Sequence, residues 1–455
     1  MSDKNAINNA TTALETLFLE KRDAIANNAP AFLNERRGCA LESFLTQGVP
    51  SKKVENYKYT NLVEVFDKPW DIIASKDDAN IDIEEVFECD VPDLDTFTIL
   101  MVNGWYYPKN NLEALPEGVT VCSLQDALNQ HKELVEEVLC RYTDNAKDPV
   151  LALNGMFAQD GLFVHIAKNV VLERPLQVIN LLNGDSDRMC SQRNVVLLEQ
   201  GSQAKIAVCD HTLSSNAFVF NNMTEVLLKE NASLDIYNVQ NQNNQTINLS
   251  GLNIEQQSNS NVLTHAVVLH GGVIRNNLTI NLNGENANAK MYGISVADQE
   301  QHVDNFTTIY HSKPHCTSNQ VYKNVMSGNS EGVFTGCIHV LPYAEKTAAF
   351  QQNNSLLLTD SAQMNAKPQL IIDNDDVKCS HGATVGQIDE EALFYLRTRG
   401  IGEDEARLMM IFAFAHDVLS NLRIEPLRDR IDQLLERRLR GEDSPCDSCA
   451  IECNS

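Results

Sequence analysis

The residue types best suited to chemistry form two short clusters of metal ligands near the C-terminus. In the first cluster, Cys379-Ser380-His381-Gly382, a cysteine and a histidine are two positions apart. Residues i and i+2 of a β-strand project from the same face, so this thiolate and imidazole can contact one metal ion or one sulfur species. The pair supplies only two ligands, and the others must come from another strand or chain. The alternative is a buried cysteine and a histidine bonded to a carbonyl group.

The second cluster consists of Cys446, Cys449 and Cys453 in the sequence CDSCAIEC. Three thiols at this spacing can surround a zinc ion or an iron–sulfur cluster that takes its fourth ligand from elsewhere. The same spacing also suits a flexible segment with exposed thiols. The sequence leaves both interpretations open.

A third group of candidate ligands lies in one stretch of the chain, residues 302–339. Its members are four histidines and two cysteines: His302, His311, His315, Cys316, Cys337 and His339. On successive turns of a repetitive β-structure such residues would be about 4.8 Å apart, close enough to share a metal ion. Without the strand register, surface and turn positions are the better prediction for these histidines.

Motifs of several common enzyme classes are missing from the sequence. It contains no GxxxxGK[ST], GxGxxG or HExxH, so a nucleotide hydrolase or a dinucleotide enzyme is unsupported. Asp373, Asp375 and Asp376 are close enough in sequence to form a carboxylate pair like those that cleave polysaccharides. In an acidic protein such a group is more typical of a solvated turn.

The elements that must position these residues change along the chain. Helical spacing of apolar residues predicts helices in the first forty-odd residues, the second starting at Pro30, and again over 124–142. Residues 96–102 have the pattern of a buried strand, which Asn103-Gly104 turns back into a second strand. From about Gly161 to about Val385, strand-sized apolar segments alternate with Asn, Gly, Asp and Ser.

Two segments in this β-rich region superpose at an offset of 30 residues, 194–210 on 224–240. Leu197 then falls on Leu227 and Gly201 on Asn231, and a fainter copy places Asn286 at the same turn position. Each copy is a strand, a turn residue that tolerates positive φ, a small residue and a second strand. This repetition favours a β-solenoid, with an ordinary sandwich rich in Asn turns as the alternative.

After Asp389 the pattern becomes helical again. One helix ends at Gly400, a second is apolar almost all round its middle and must be buried in its own domain or against another chain, and a third is amphipathic. We divide the chain into an N-terminal helical and mixed domain (1–158), a β-helix core (159–388), a C-terminal helical domain (389–440) and a flexible cysteine-containing tail (441–455).

Composition narrows the classes of function. The chain has 36 Lys and Arg against 62 Asp and Glu, a net charge of −26, which disfavours nucleic acids and anionic membranes as partners. Most of its 12 cysteines are scattered, as in reduced proteins. The first residues lack the pattern of a secretory signal, and no apolar run is long enough to span a bilayer. We therefore expect a soluble cytoplasmic protein.

The segment 378–401, KCSHGATVGQIDEEALFYLRTRGI, strongly resembles the C-terminal signature of the SufB/SufD family of iron–sulfur cluster assembly proteins. Residues 50–62, 102–111, 115–121 and 157–166 are similar to the N-terminal region of the SufD branch. SufB-like sequences have Glu in place of Gly382 and a longer N-terminal region, which also favours the SufD branch. Tyr57 stands where that branch usually has tryptophan, a change that an aromatic anchor should tolerate.

The resemblance implies a mainly β protein, with a right-handed parallel β-helix core between an N-terminal α/β domain and a C-terminal α-helical domain. It implies a non-catalytic scaffold subunit that pairs with a SufB-like paralogue and binds a SufC-like ABC ATPase through its C-terminal helices. The chain would contribute His381, with Cys379 beside it, to an interface where a transient iron–sulfur cluster forms. Whether a flavin joins the complex, and whether the chain forms a homodimer alone, are left open.

By the same resemblance, the positions expected to contact the ATPase are Glu391, Phe394, Tyr395, Arg399, Arg407, Phe412 and His416. Two functions from other classes are the alternatives. One is a thiol or metal carrier that uses the three cysteines of the tail. The other is a β-helix enzyme that acts on polysaccharides.

Overall fold

A computed structural model describes residues 2–76, 94–108, 112, 114–139, 141 and 148–441. The helices are α1 (Ser2–Asn27), α2 (Ala31–Gln47), α3 (Leu62–Val65), α4 (Leu124–Gln130), α5 (Lys132–Val138), α6 (Pro149–Phe157), α7 (Glu390–Thr398), α8 (Glu403–Leu419) and α9 (Glu425–Leu439). The N-terminal strands are β1 (Asp71–Ile72), β2 (Phe97–Val102), β3 (Trp105–Tyr107) and β4 (Val119–Ser123).

The remaining strands follow one another without an intervening helix. They are β5 (Leu162–Ile166), β6 (Leu176–Leu182), β7 (Arg188–Leu198), β8 (Gln203–Thr212), β9 (Phe218–Leu228), β10 (Ser233–Asn241), β11 (Ile247–Gln256), β12 (Asn261–His270), β13 (Val273–Leu282), β14 (Asn288–Ala297), β15 (His302–His311), β16 (Thr317–Met326), β17 (Glu331–Val340), β18 (Thr347–Leu357), β19 (Gln363–Ile372) and β20 (Val377–Gly386).

From β5 onward the chain alternates between two sheets. Odd-numbered strands pair with one another in the order β19-β17-β15-β13-β11-β9-β7-β5, and even-numbered strands in the order β20-β18-β16-β14-β12-β10-β8-β6. All of these pairs are parallel. A chain that returns to the same sheet at every second strand winds as a solenoid, not as an antiparallel sandwich. The expected mainly β fold, a parallel β-helix with helices at both ends, is confirmed.

The 30-residue offset corresponds to one turn of this solenoid. Leu197 pairs with Leu227 in the odd-numbered sheet, and Ile206 pairs with Ile236 in the even-numbered sheet. Their side chains point into the space between the sheets or against the covering helices, so the repeat arises because each turn must bury the same positions.

The turn residue of each repeat adopts positive φ, as the sequence predicted. The same turn in successive windings is formed by Gly201, Asn231, Asn259, Asn286, His315 and Lys346, whose φ values lie between 58° and 72°. Each donates its backbone N–H to a carbonyl of the next turn, for example Asn231 to Ser258 at 2.9 Å. Asn is enriched here because its side chain tolerates the left-handed conformation. The fainter copy at Asn286 is two windings beyond Asn231, and the sequence comparison missed Asn259 between them.

The first end of the solenoid is closed by strands of opposite direction. β3 is antiparallel to β2, and β4 is antiparallel to β5. The predicted Asn103-Gly104 turn joins β2 to β3 with φ of 52° and 88°. Trp105, directly after it, is 4% exposed and packs in one cluster with Phe218 and Phe220.

The helical spacing over 124–142 corresponds to more than one helix. The structure has two short helices, α4 and α5, separated at His131, whose φ is −132°. No apolar residue lies between Leu128 and Leu134, so a continuous helix would present no buried side chain over that interval. The N–H of His131 bonds to the Ala127 carbonyl at 2.7 Å and ends α4.

The segment 50–62 packs against the side of the solenoid. Tyr57 is 1% exposed, its ring lies 4.0 Å from the Arg275 guanidinium carbon, and its hydroxyl donates to the Asp148 carboxylate at 2.9 Å. Asp148 also accepts the Val150 and Leu151 N–H groups that begin α6. Tyr57 is therefore a buried aromatic anchor whose hydroxyl is bonded, a contact that tryptophan could make only through its ring N–H.

The C-terminal helices α8 and α9 pack on the outer face of the even-numbered sheet. Lys323 donates to the Phe414 carbonyl at 2.9 Å and pairs with Asp417 at 2.8 Å. On α9, Arg438 is 8% exposed and bonds to His270 and Asp298 in two turns of the solenoid. Polar contacts thus attach these helices at several successive turns.

The prediction that the second C-terminal helix is buried holds for one side of α8 only. Ile411, Ala415 and Val418 are buried against the solenoid, whereas Met409 is 45% exposed on the other side. The apolar residues on one face of α8 are therefore covered by the chain itself, and those on another face are exposed.

Candidate functional site

The last turn of the solenoid ends in two edge strands. Among the described strands, β19 pairs only with β17, and β20 pairs only with β18. Each strand therefore has backbone N–H and C=O groups on its outer side without a strand partner, which is an edge on which another chain can add a strand. Most residues of β20 are exposed.

Large apolar side chains surround this edge. Tyr343 is 83% exposed, and the others are between 42% and 46% exposed. We call the set Tyr343, Phe350, Ile371, Ile372 and Val385 the apolar rim. Exposed apolar side chains that cluster in this way typically mark an interaction surface. The sequence placed the end of the β-rich region near Val385 but did not reveal the rim, because its members have the composition of buried strand residues.

Cys379 and His381 lie on β20, in the pattern that the sequence suggested. In register they lie beside Ala349 and Gln351 of β18, both buried. Cys379 packs against the main core between the sheets, and a residue two positions along a strand shares its face. Both side chains therefore point to the interior side of the last turn, which no further turn covers.

Cys379 and His381 differ in how far they are buried. Partial burial raises the pKa of the Cys379 thiol, so a metal ion must displace a proton to bind it. His381 is exposed and can be reached from outside the chain. Among the described residues no group of three His, Cys, Asp or Glu could hold a metal ion, so further ligands for this pair must come from elsewhere.

The histidines of the stretch 302–339 do not converge. His302 contacts Thr60 at 2.9 Å, His311 contacts Ser318 at 2.9 Å, and His315 is a turn residue. Burial lowers the pKa of His311 to about 4, so it is neutral. Their positions are structural, as are those of Cys316, which donates to the Gly284 carbonyl at 3.2 Å, and of Cys337, which is half-buried on β17.

The acidic group in the turn after β19 is solvated and ion-paired. Asp373 lies 3.1 Å from His339, and Asp376 pairs with Lys346 at 2.5 Å. Both carboxylates and that of Asp375 are on exposed residues. A glycosidase needs two carboxyl groups that face each other across a cleft, and this turn does not provide them. Cys446, Cys449 and Cys453 lie outside the described residues.

The helix α7 projects from the C-terminal helices with little of its own surface buried. Only Leu393 is buried, whereas Phe394 is 68% and Tyr395 57% exposed. Arg399 lies one turn further, donates to the Tyr395 hydroxyl at 3.0 Å and lies 5.0 Å from its ring. These three predicted contact residues form one exposed aromatic and basic surface.

The other predicted contact residues are distributed differently. Glu391 and His416 are exposed, and Arg407 lies near Glu403 and Glu390 between α7 and α8. Phe412 is partly buried and packs against the apolar cluster beneath α8, so less of its ring is available to a partner. Met409 of α8 is 45% exposed as well, although it was not among the predicted contact residues.

Two family models match most of the chain. The model described as the SufBD core domain of SUF-system iron–sulfur cluster assembly matches residues 180–414, and the SufBD N-terminal region matches residues 8–178. The chain belongs to the SufB/SufD family of iron–sulfur cluster assembly proteins.

Individual members of the SufB/SufD family match along most of their length. The chain is 28% identical to the iron–sulfur cluster assembly protein SufD of Escherichia coli over 407 residues, covering 88% of this chain and 92% of the relative. It is 26% identical to SufD of Bacillus subtilis over 424 residues, covering 90% and 95%. These matches confirm the expected SufD type.

A SufBD family protein of Synechocystis sp. is 27% identical over 434 residues, covering 93% of this chain and 95% of the relative. A second SufBD family protein of the same strain also matches, so one organism can contain more than one member of the SufB/SufD family. In the described part of the chain, no helix has the length and apolar character needed to cross a membrane.

Proposed function

We propose that the chain is the SufD-like subunit of an iron–sulfur cluster assembly scaffold. In this complex it pairs with a SufB-like paralogue and binds a SufC-like ABC ATPase. The observation that supports this most directly is the uncovered last turn, where two edge strands, the apolar rim and the Cys379–His381 pair occur together.

The edge strands support pairing with a chain of the same fold. A second β-solenoid that ends in the same way could add its strands to β19 and β20 and bury the apolar rim. The occurrence of two family members in one organism supports a paralogue as this partner. By the same edge strands, two copies of this chain would pair as a homodimer when the paralogue is absent.

The Cys379–His381 pair supports a role in handling the cluster, which is the cargo of the complex. Two side chains on the interior face of the last turn would lie at the interface and receive their missing ligands from the partner. Neutral imidazole binds iron less tightly than thiolate and can be released by protonation. Such a ligand suits a scaffold that must give up its product, and this supports His381 as the contributed residue.

The surface of α7 and α8 supports the ATPase as a second partner. Phe394 and Tyr395 supply exposed aromatic anchors, and Arg399 adds a charge beside them, a combination enriched in binding hot spots. Because α8 and α9 are attached to several turns of the solenoid, movement of a bound ATPase can be transmitted to it. The ATPase partner, and not this chain, would then catalyse nucleotide hydrolysis.

The test is co-expression of the chain with SufB-like and SufC-like subunits, followed by anaerobic purification and assay of iron and sulfide. We expect a three-subunit complex from the wild type and from His381→Ala, with most of the iron and sulfide missing from the variant. The control is His339→Ala, which removes a histidine of β17 that pairs with Asp373 and should leave both unchanged. A His381→Ala complex with wild-type iron would exclude the role of His381, and failure to recover any complex would exclude the scaffold.

A further inference from the structure

A column of polar side chains runs through the interior of the last turns and stops beneath His381. Thr307 of β15 accepts from the side-chain amide of Gln320 of β16 at 2.5 Å. The Gln320 side-chain oxygen accepts in turn from the amide of Gln351 of β18 at 2.7 Å. Gln320 and Gln351 occupy paired positions in the sheet, and His381 of β20 is paired with Gln351 one strand further.

The Gln351 side chain is held in one place. It is 4% exposed, its amide nitrogen is committed to Gln320, and Gly336 of the opposite sheet lies against it. A Cβ atom on Gly336 would lie 2.2 Å from Gln351 Nε2 and 2.9 Å from its Cδ, closer than atoms can approach. Glycine at position 336 therefore provides the space that the amide fills.

One end of the column is unsatisfied. Within the described part of the chain, Gln351 Oε1 is buried and has no hydrogen-bond partner. A buried amide oxygen that loses its hydrogen bonds to water and gains no other partner destabilises the folded chain. Adjacent strands are about 4.8 Å apart, and the residue of β20 in register with Gln351 is His381, so its side chain is within reach of this oxygen.

We propose that Gln351 is a positioning residue for His381: its Oε1 accepts the ring N–H of His381 and so determines which ring nitrogen is free to bind the nascent cluster. This inference rests on the proposed function, in which His381 is a cluster ligand. Gln320 and Thr307 fix the orientation of the amide, so that Gln351 presents its oxygen, and not its NH₂ group, to the edge strand.

The chemical consequence concerns the tautomer of the ring. A neutral imidazole has one N–H and one bare nitrogen, and the partner of the N–H decides which nitrogen is bare. Nε2 is the ring nitrogen farther from the backbone and thus better placed to reach past the edge strand. Gln351 would therefore hold the proton on Nδ1 and leave Nε2 for iron, as hydrogen-bond acceptors behind metal-binding histidines commonly do.

The experiment measures the tautomer in the full chain without iron. With histidine labelled by ¹⁵N, long-range ¹H–¹⁵N correlation spectra at about pH 8, above the ordinary pKa of imidazole, report which nitrogen bears the proton. His381 is identified by the signals missing from His381→Gln. We expect a majority of the Nδ1–H form in the wild type, and a shift to a majority of the Nε2–H form in Gln351→Met, which keeps the length of the side chain but removes the oxygen.

Two further variants separate this effect from a general disturbance. Gln352→Met makes the same change on the exposed side of the same strand and should leave the tautomer as in the wild type. Gln351→Glu retains an acceptor oxygen for the ring N–H, with the Gln320 amide turned to donate to the other carboxylate oxygen, and should retain the Nδ1–H form. An unchanged tautomer in a folded Gln351→Met, or a wild-type chain already in the Nε2–H form, would overturn the proposal.

Iron retention by the complex distinguishes this inference from the proposed function. We expect Gln351→Met to lower iron affinity about 10- to 100-fold, the usual effect of losing the hydrogen-bond partner of a metal ligand. If His381→Ala loses iron but Gln351→Met changes neither tautomer nor affinity, the function stands and the role of Gln351 is wrong. If Gln351→Met changes the tautomer but His381→Ala retains full iron, the hydrogen bond exists but positions no ligand, and the proposal is equally wrong.

Discussion

The two ends of the solenoid are built differently. At the first end the chain folds back on itself, so that antiparallel β3 and β4 occupy the positions of further turns and Trp105 is buried beside them. At the last end β19 and β20 have no such covering among the described residues, and apolar side chains remain exposed.

We expect the covered end to determine mainly the stability of the fold, and the open end mainly its association with other molecules. A solenoid needs a cap at each end because an open end exposes both its core and its strand edges. The chain provides the cap at the first end, and under the proposed function another molecule covers the last end, which the described residues leave open. Substitutions at the covered end should therefore change stability, and equivalent substitutions at the open end should change binding.

The largest expected effect is the loss of stability when a buried aromatic residue is truncated at the covered end. Trp105→Ala should lower the free energy of unfolding by about 3–5 kcal/mol, since it leaves a cavity beside Phe218 and Phe220. Phe350→Ala, at 45% exposure in the apolar rim, should cost less than about 1 kcal/mol. Urea unfolding at low protein concentration measures both values, and equal losses would contradict the comparison.

A smaller effect is expected on association. Val385→Lys places a charge in the apolar rim and should weaken binding to a SufB-like subunit about tenfold or more, which corresponds to about 1.4 kcal/mol. The matched control is Val171→Lys in the first turn of the solenoid, because Val171 is 51% exposed and Val385 46%. Sedimentation velocity with both subunits measures the change. The comparison fails if the two variants weaken binding equally.

Sequence reasoning predicted the repeated part of the fold well, for a physical reason. Each turn of the solenoid must place an apolar residue in the core and a residue with positive φ at the bend, so Leu197 and Leu227, or Gly201 and Asn231, recur at a fixed offset. Cys379 and His381 were found because two residues of one strand share a face at any point in the fold.

The parts that sequence reasoning missed depend on where the chain stops repeating. Ile371 and Val385 have the composition of core strands, and only the lack of a following turn exposes them. Gln351 was overlooked because its neighbours Gln320 and Gly336 are distant in sequence and meet it only across the interior. Local spacing predicts which face a side chain is on, but not what lies opposite.

The covered turns also contain neutral histidines. They provide a third test of the difference between the covered and the open parts of the solenoid. His265 lies beneath α8, 3.1 Å from the Val418 carbonyl, and burial lowers its pKa to about 4. Burial and the charge of Arg438 lower the pKa of His270 to about 3. The His265 ring is 1% exposed beneath α8, whereas His270, which bonds to Arg438 of α9, is partly buried.

The third expected effect is the pH dependence that these histidines create. An unfolded chain takes up protons on histidine below about pH 6.5, whereas the folded chain does not protonate His265 until about pH 4. The contribution of His265 is therefore complete above about pH 6.5 and falls by about 1.4 kcal/mol per pH unit as the pH is lowered towards 4. Asp160, whose pKa burial raises to about 6, acts in the opposite direction.

Because several groups titrate together, the test compares the wild type with His265→Gln. Urea unfolding midpoints at pH 7 and pH 5 should differ less in the variant, since glutamine still bonds but takes up no proton. The corresponding control is His339→Gln, since that ring lies near the open end and pairs with Asp373. An equal dependence on pH in the wild type and His265→Gln would show that α8 does not keep His265 from water. Burial under the helices would then not explain the pH dependence of stability.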